Sequence, residues 1–262
     1  MKSTVRIALG LEYDGTDFVG WQSQRDCRSV QELVTEAVIA VADHPLTVAG
    51  SGRTDAGVHA AQQVAHFDTQ ANRQARQWLL GINSNLPPDI AVQWVKEVAP
   101  DFDARRSAMW RRYRYQIQQR LVRSALSRRG VWWLRDPLDC SLMTAAAAVW
   151  LGENDFSAFR AAGCQSSTPM RRLLAVEIEE NNSIIALDFT ANAFLQHMVR
   201  NFVGVLVAIG SGREPPEWAA QVLASRDRTQ GGVAAPPQGL TLLEVAYPKR
   251  FEIPTVPDSW LN

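Results

Sequence analysis

Apolar residues recur along this chain at two periods, and the periods alternate in turn. Residues 7–13 alternate in and out as a half-buried strand does, and Asp14-Gly15 ends the run with a turn. From Val30 the spacing changes. Val30, Leu33, Val34, Ala37, Val38 and Val41 share one helical face, with Ser29 at the N-cap and Glu32 placed to complete a capping box. Residues 46–49 and 62–67 read as strands, 74–83 as a helix stopped before Pro87-Pro88, and 90–98 as a strand. The second half follows the same plan. Residues 110–118 read as a strand, 142–151 as a helix, and Leu174, Val176 and Ile178 as a strand that Asn181-Asn182-Ser183 turns into residues 184–189. Residues 192–209 then read as a long helix and 240–247 as the last strand. The pattern predicts an α+β fold of two related halves, residues 1–105 and 106–262, whose mainly antiparallel strands can merge into one sheet with helices packed on it.

At 46% hydrophobic and 21% charged residues, 262 residues bury a substantial core, which excludes disorder. Cys27, Cys140 and Cys164 are too few and too scattered for a disulfide scaffold and suit a reducing cytoplasm. The first residues lack the apolar run of a signal peptide, and no membrane span is expected.

The net charge of zero conceals a segregation. Residues 105–135 hold ten arginines and no acid, leaving 17 basic against 27 acidic residues elsewhere. A basic stripe on an acidic body is the footprint of a polyanion partner. Only Lys2, Lys96 and Lys249 are lysines, and arginine suits forked phosphate contacts. On strand spacing, Arg111, Tyr113, Tyr115 and Ile117 share one face, and Arg112 and Arg114 the other.

No P-loop, no GxGxxG after a strand and no GxSxG elbow occurs. His44, His59, His66 and His197 lack partners at metal-ligand spacing. The most informative segment is Gly52-Arg53-Thr54-Asp55-Ala56-Gly57-Val58-His59. Flanking glycines permit close approach and present Asp55 beside Arg53. The loop alone leaves Asp55 either as a turn or cap residue or as a presented carboxylate. Arg200 lies in a stretch that is apolar nearly all round, so its guanidinium needs an anionic partner. Asp55 is an attractive one, because a carboxylate held by arginine stays ionised, as a nucleophile must. Snorkelling, or an ordinary structural acid, is the alternative.

These residues resemble the tRNA pseudouridine synthase A (TruA) family. Gly52 to His59 resembles its signature loop, and Tyr13-Asp14-Gly15-Thr16 with Phe18 and Gly20-Trp21-Gln22 its N-terminal strand and loop. Arg111-Arg112-Tyr113-Arg114-Tyr115 resembles the strand of the active-site tyrosine, and Gly152-Glu153-Asn154-Asp155-Phe156 a helix-end motif. Phe194 to Asn201 resembles the arginine helix, and Gly239-Leu240 the start of the last strand. The resemblance implies an isomerase that converts uridine to pseudouridine at positions 38 to 40 of the tRNA anticodon stem-loop. It implies no cofactor, no metal, and a homodimer with its active-site cleft between the two halves. Asp55, Tyr113 and Arg200 map to the catalytic residues, Leu240 to an apolar contact with the target base, and Arg53 to a residue assisting base flipping. Arg111, Arg112 and Arg114 fall to substrate binding, as phosphate contacts. Thr241 and Gln62 depart from the family pattern, where Tyr and Gly are frequent. A non-catalytic tRNA-binding module and a glycosidic hydrolase are the rival classes. The intact catalytic residues argue against the first, and the lack of a second local acid beside Asp55 against the second.

Overall fold

The computed structural model describes residues 4–255. The chain divides into two compact units, one of residues 1–109 and 242–262, the other of residues 110–241.

In the first unit, β1 (Val5–Tyr13) lies between β3 (His59–Thr69) and β4 (Ile90–Val98), antiparallel to both, and β2 (Ala49–Gly50) adds to β3. Ile7, Ala8, Leu9, Leu11 and Tyr13 are all buried, so β1 is covered on both faces rather than one. Its register against β3 shifts between Leu11 and Tyr13, a bulge that re-aims the Tyr13 side chain. The periodic face of α1 (Val30–Ala42) is buried at Val30, Val34, Ala37 and Val38. The capping box expected at Ser29 does not form. The Ser29 hydroxyl is fully buried and faces the Glu32 carboxylate at 3.5 Å instead of capping the backbone. A capping box forms on α2 (Ala75–Asn85), between Gln74 and Gln77.

In the second unit, β5 (Trp110–Gln119) pairs antiparallel with β9 (Ile184–Ala191), β9 with β8 (Met170–Asn181), and β8 with β7 (Gly152–Asp155). A short strand, β6 (Trp132–Leu134), runs parallel to β5. The helices are α3 (Cys140–Ala147), α4 (Met198–Gly210) and α5 (Trp218–Ser225). Phe202 of α4 centres the core, stacked 4.6 Å from Trp150 and in edge contact with Phe156 and Phe159. The last strand, β10 (Leu240–Ala246), carries the chain from the second unit back into the first.

The α+β class and the antiparallel pairing are as the sequence predicts. The long helix is not. It begins at Met198 instead of residue 192, because Asn192 turns its side chain back to accept from Ala193 N and Arg172 N, and His197 takes a left-handed φ of 63°. The helix expected over residues 142–151 begins at Cys140, capped by Asp139, and tightens into a 3-10 turn at Ala148–Trp150. The strand expected over 46–49 shrinks to Ala49–Gly50.

Candidate active site

The loop bearing Asp55 follows β2. Thr54 is buried, while Arg53 on one side is exposed and Asp55 on the other is half-buried. The Thr54 hydroxyl lies 2.8 Å from the Tyr13 hydroxyl, and its carbonyl accepts from Trp21 N at 3.1 Å. Gly20 makes that second contact possible. Its φ is +109°, and a Cβ there would lie 2.5 Å from the Thr54 carbonyl oxygen. Beyond Asp55 the chain closes a turn, with Val58 N donating to the Asp55 carbonyl and Gly57 N to the Phe18 carbonyl. His59 accepts from Gly15 N at 3.0 Å and stands 3.1 Å from the Asp14 carboxylate. It belongs to the scaffold of the loop. Asp55 is therefore presented by a loop fastened on both sides.

Tyr113, Arg200 and Leu240 belong to the second unit. Tyr113 is nearly buried on β5 and meets Phe194 edge to face, ring centroids 5.1 Å apart. Phe194 lies in the irregular segment ahead of α4, so the late start of that helix is what sets it against Tyr113. The same late start puts Arg200 in the first turn of α4, half-buried instead of enclosed. Its Nε donates to the Ala235 carbonyl at 2.7 Å, and Ala235 N returns a bond to the Arg200 carbonyl. The next residue, Pro236, accepts from the Tyr115 hydroxyl at 2.8 Å. Burial pushes the Tyr115 phenol up, and the Arg200 charge opposes this. Gly239 passes against the Tyr115 ring, where a Cβ would lie 2.7 Å from it, and Leu240 follows, buried at the start of β10. Residues 235–240 thus join Arg200, Tyr115 and Leu240 in one cluster.

The basic stripe is not uniform. Arg114 places its guanidinium on the Asp188 carboxylate, with bonds of 2.8 and 2.9 Å, directly across from it on β9. That hydrogen bond holds the Arg114 guanidinium above its ordinary range. Arg111 donates to the Asn192 carbonyl, and Arg112 is half-buried. Arg120, Arg123, Arg128 and Arg129 are exposed, on the connection from β5 to β6 that also exposes Leu121, Val122 and Leu126.

Sequence reasoning missed Tyr13, Gln63 and Asp188. Tyr13 stood in the N-terminal motif without a role; each of the three bonds a partner distant in the chain, and Gln63 and Asp188 offered only a polar side chain at an apolar strand position. Gln62, the departure noted above, donates to the Pro254 carbonyl at 2.7 Å. Among the described residues no group of His, Cys, Asp and Glu is placed to hold a metal ion. A cavity of about 770 Å³ opens beside His44, His66 and Asp68, and no residue of the Asp55 loop lines it.

A family model described as tRNA pseudouridine synthase matches residues 11–105 and 146–248. Proteins called tRNA pseudouridine synthase A are similar over almost the whole chain. One from Coxiella burnetii (strain Dugway 5J108-111) is 52% identical over 252 residues, 96% of this chain and 97% of its own. One from Methylococcus capsulatus is 51% identical over 247 residues, 94% of this chain and 91% of its own. One from Cronobacter sakazakii is 50% identical over 256 residues, 98% of this chain and 95% of its own.

Proposed function

This chain belongs to the tRNA pseudouridine synthase family, and from that premise we propose that it isomerises uridines at positions 38 to 40 of the tRNA anticodon stem-loop, with Asp55 as nucleophile and no cofactor. The observation that carries the reading is the Asp55 loop. A single carboxylate stands half-buried between residues whose backbone is tied down on either side.

The reaction breaks the bond between ribose C1′ and uracil N1, turns the base, and forms a bond from C1′ to C5. The C5 proton then leaves and N1 gains one, so the product is an isomer. The Asp55 carboxylate starts this by adding to C6, by attacking C1′, or by taking the C2′ proton. Each route needs the ionised form. Arg200 supplies the positive charge that keeps it so. The uridine must leave its stack at a cost of a few kcal/mol. Stacking on Tyr113 returns about 1–3 kcal/mol. Arg53, exposed beside Asp55, assists the flip, and Leu240 packs against the base.

Phosphate contacts fall to exposed arginines more than to the β5 strand. Arg111, Arg112 and Arg114 are the candidates on the strand, Arg114 sharing its guanidinium with Asp188, and Arg120, Arg123, Arg128 and Arg129 join them on the connection to β6. The protein works as a homodimer in the cytoplasm, which sedimentation of the purified chain and its localisation in cells would test. The function itself is tested by incubating the purified protein with tRNA labelled with tritium at uracil C5, then mapping pseudouridine. Release of the label with new pseudouridine confined to positions 38 to 40 is expected. Absence of release, or modification elsewhere, would overturn the assignment.

A further inference from the structure

We infer that Tyr13, backed by Gln63, is a positioning residue for the Asp55 carboxylate: it holds the loop in register through Thr54 and takes no part in proton transfer. The inference rests on Asp55 being the reacting carboxylate.

Thr54 lies immediately before Asp55 and is buried, and its carbonyl and hydroxyl are each bound by a residue far back in the chain. Its carbonyl is held by Trp21 N, and its hydroxyl by the Tyr13 phenol. Tyr13 is itself enclosed, with its ring 6.4 Å from that of Trp21. It sits where β1 slips register against β3, and this slip sets its side chain beneath the loop.

Gln63 closes the network on the other side. It is fully buried on β3, donates to the Gly52 carbonyl at 3.0 Å, and accepts from the Ser51 hydroxyl. Its amide also bears on the Tyr13 phenol. Ser51 N donates to the Val64 carbonyl at 2.7 Å, which pins the start of the loop to the same strand. The rigid pair β1–β3 thereby grips the loop at Ser51, Gly52 and Thr54. Arg53 between them is exposed, and Asp55 follows half-buried.

Burial pushes the Tyr13 phenol up to about 12, so it stays protonated while the enzyme works. It is a fixed hydrogen-bonding strut. A reacting carboxylate has to sit within a fraction of an ångström of its target, and a misplacement of about 1 Å costs ~10²-fold in rate.

The test compares Tyr13→Phe, Thr54→Val and Asp55→Asn with the parent protein, reading kcat, KM and the pH–rate profile from C5-tritium release. Tyr13→Phe keeps the ring and deletes the strut. Its kcat is expected to fall by ~10- to 100-fold, with KM and the pH midpoints unmoved. Thr54→Val should fall alike, and Thr54→Ser, which keeps the hydroxyl, by less. The Tyr13→Phe, Thr54→Val double variant should fall no further than either alone, because both break one device. A parental kcat in Tyr13→Phe would overturn the inference, and so would a moved pH midpoint, which would make the phenol a proton-transfer group. If Tyr13→Phe fails to fold, Thr54→Val decides by the same criteria. Parental turnover by Asp55→Asn would instead bring down the reading of Asp55, whatever the Tyr13 variant does.

Discussion

At Arg200 the difference between an apolar sequence context and an actual environment is plain. The residues around it predicted burial on most sides, with an anionic partner or a snorkelling side chain. The side chain is half-buried and gives its Nε to a backbone carbonyl at Ala235. That bond to a neutral carbonyl fixes the direction of the guanidinium, which is compatible with the role proposed for it, holding a carboxylate ionised. Arg200→Met keeps the stem and removes the charge. The apparent pKa of Asp55 should then rise, since the ionised form loses its stabiliser. The ionised fraction at a given pH drops, and the acidic limb of the pH–rate profile moves to higher pH. Profiles of the two proteins side by side check this, and an unshifted limb in Arg200→Met would remove Arg200 from control of Asp55. Arg114 shows the opposite case at the same scale. Its partner Asp188 stands 74 residues away, and no pattern within the β5 segment distinguished it from its basic neighbours.

Elements were legible where periodicity and turn chemistry acted together. Strand β4 runs from Ile90 to Val98 as predicted, between Pro87-Pro88 and the acidic turn that follows. The buried face of α1 follows its spacing. Three kinds of element were not legible. Strands β6 and β7 are short, with three and four residues, and exist through their neighbours. Helix α5 follows Pro215-Pro216, where local signals favour a loop. The start of α4 is decided by Asn192 and a left-handed His197, which override an unbroken apolar run. The candidate site divides along the same line. The Asp55 loop was visible as a motif, whereas its grip by Tyr13 and Gln63 spans 41 and 11 residues of sequence. The connection from β5 to β6 carries its own prediction. Replacing Arg120, Arg123, Arg128 and Arg129 with Ser should flatten the salt dependence of tRNA affinity. Each lost phosphate contact removes roughly 0.7 to 0.9 from the log–log slope. Titrations at several salt concentrations measure it, and an unchanged slope would show that this connection does not touch RNA.

Over the whole molecule, a balanced net charge hides a basic segment on an acidic body, and stability and function draw on different charges. His66 belongs to stability. It is buried, accepts from Ala104 N, and burial holds its imidazole below the ordinary value of 6.5. The unfolded chain therefore takes up this proton first as pH falls through 6.5, and the folded state loses stability on the acidic side. Melting temperatures should decline between about pH 7 and about pH 5, and His66→Asn, which can keep an acceptor near the same place, should decline less. An equal decline in both would assign the acid sensitivity to other groups. The proposed function rests on Asp55. The most direct measurement is tRNA affinity and C5-tritium release for Asp55→Asn, with deamidation excluded by mass spectrometry. The account predicts parental affinity and a turnover reduced by ~10⁴-fold or more. Appreciable turnover by the verified Asp55→Asn protein would contradict it.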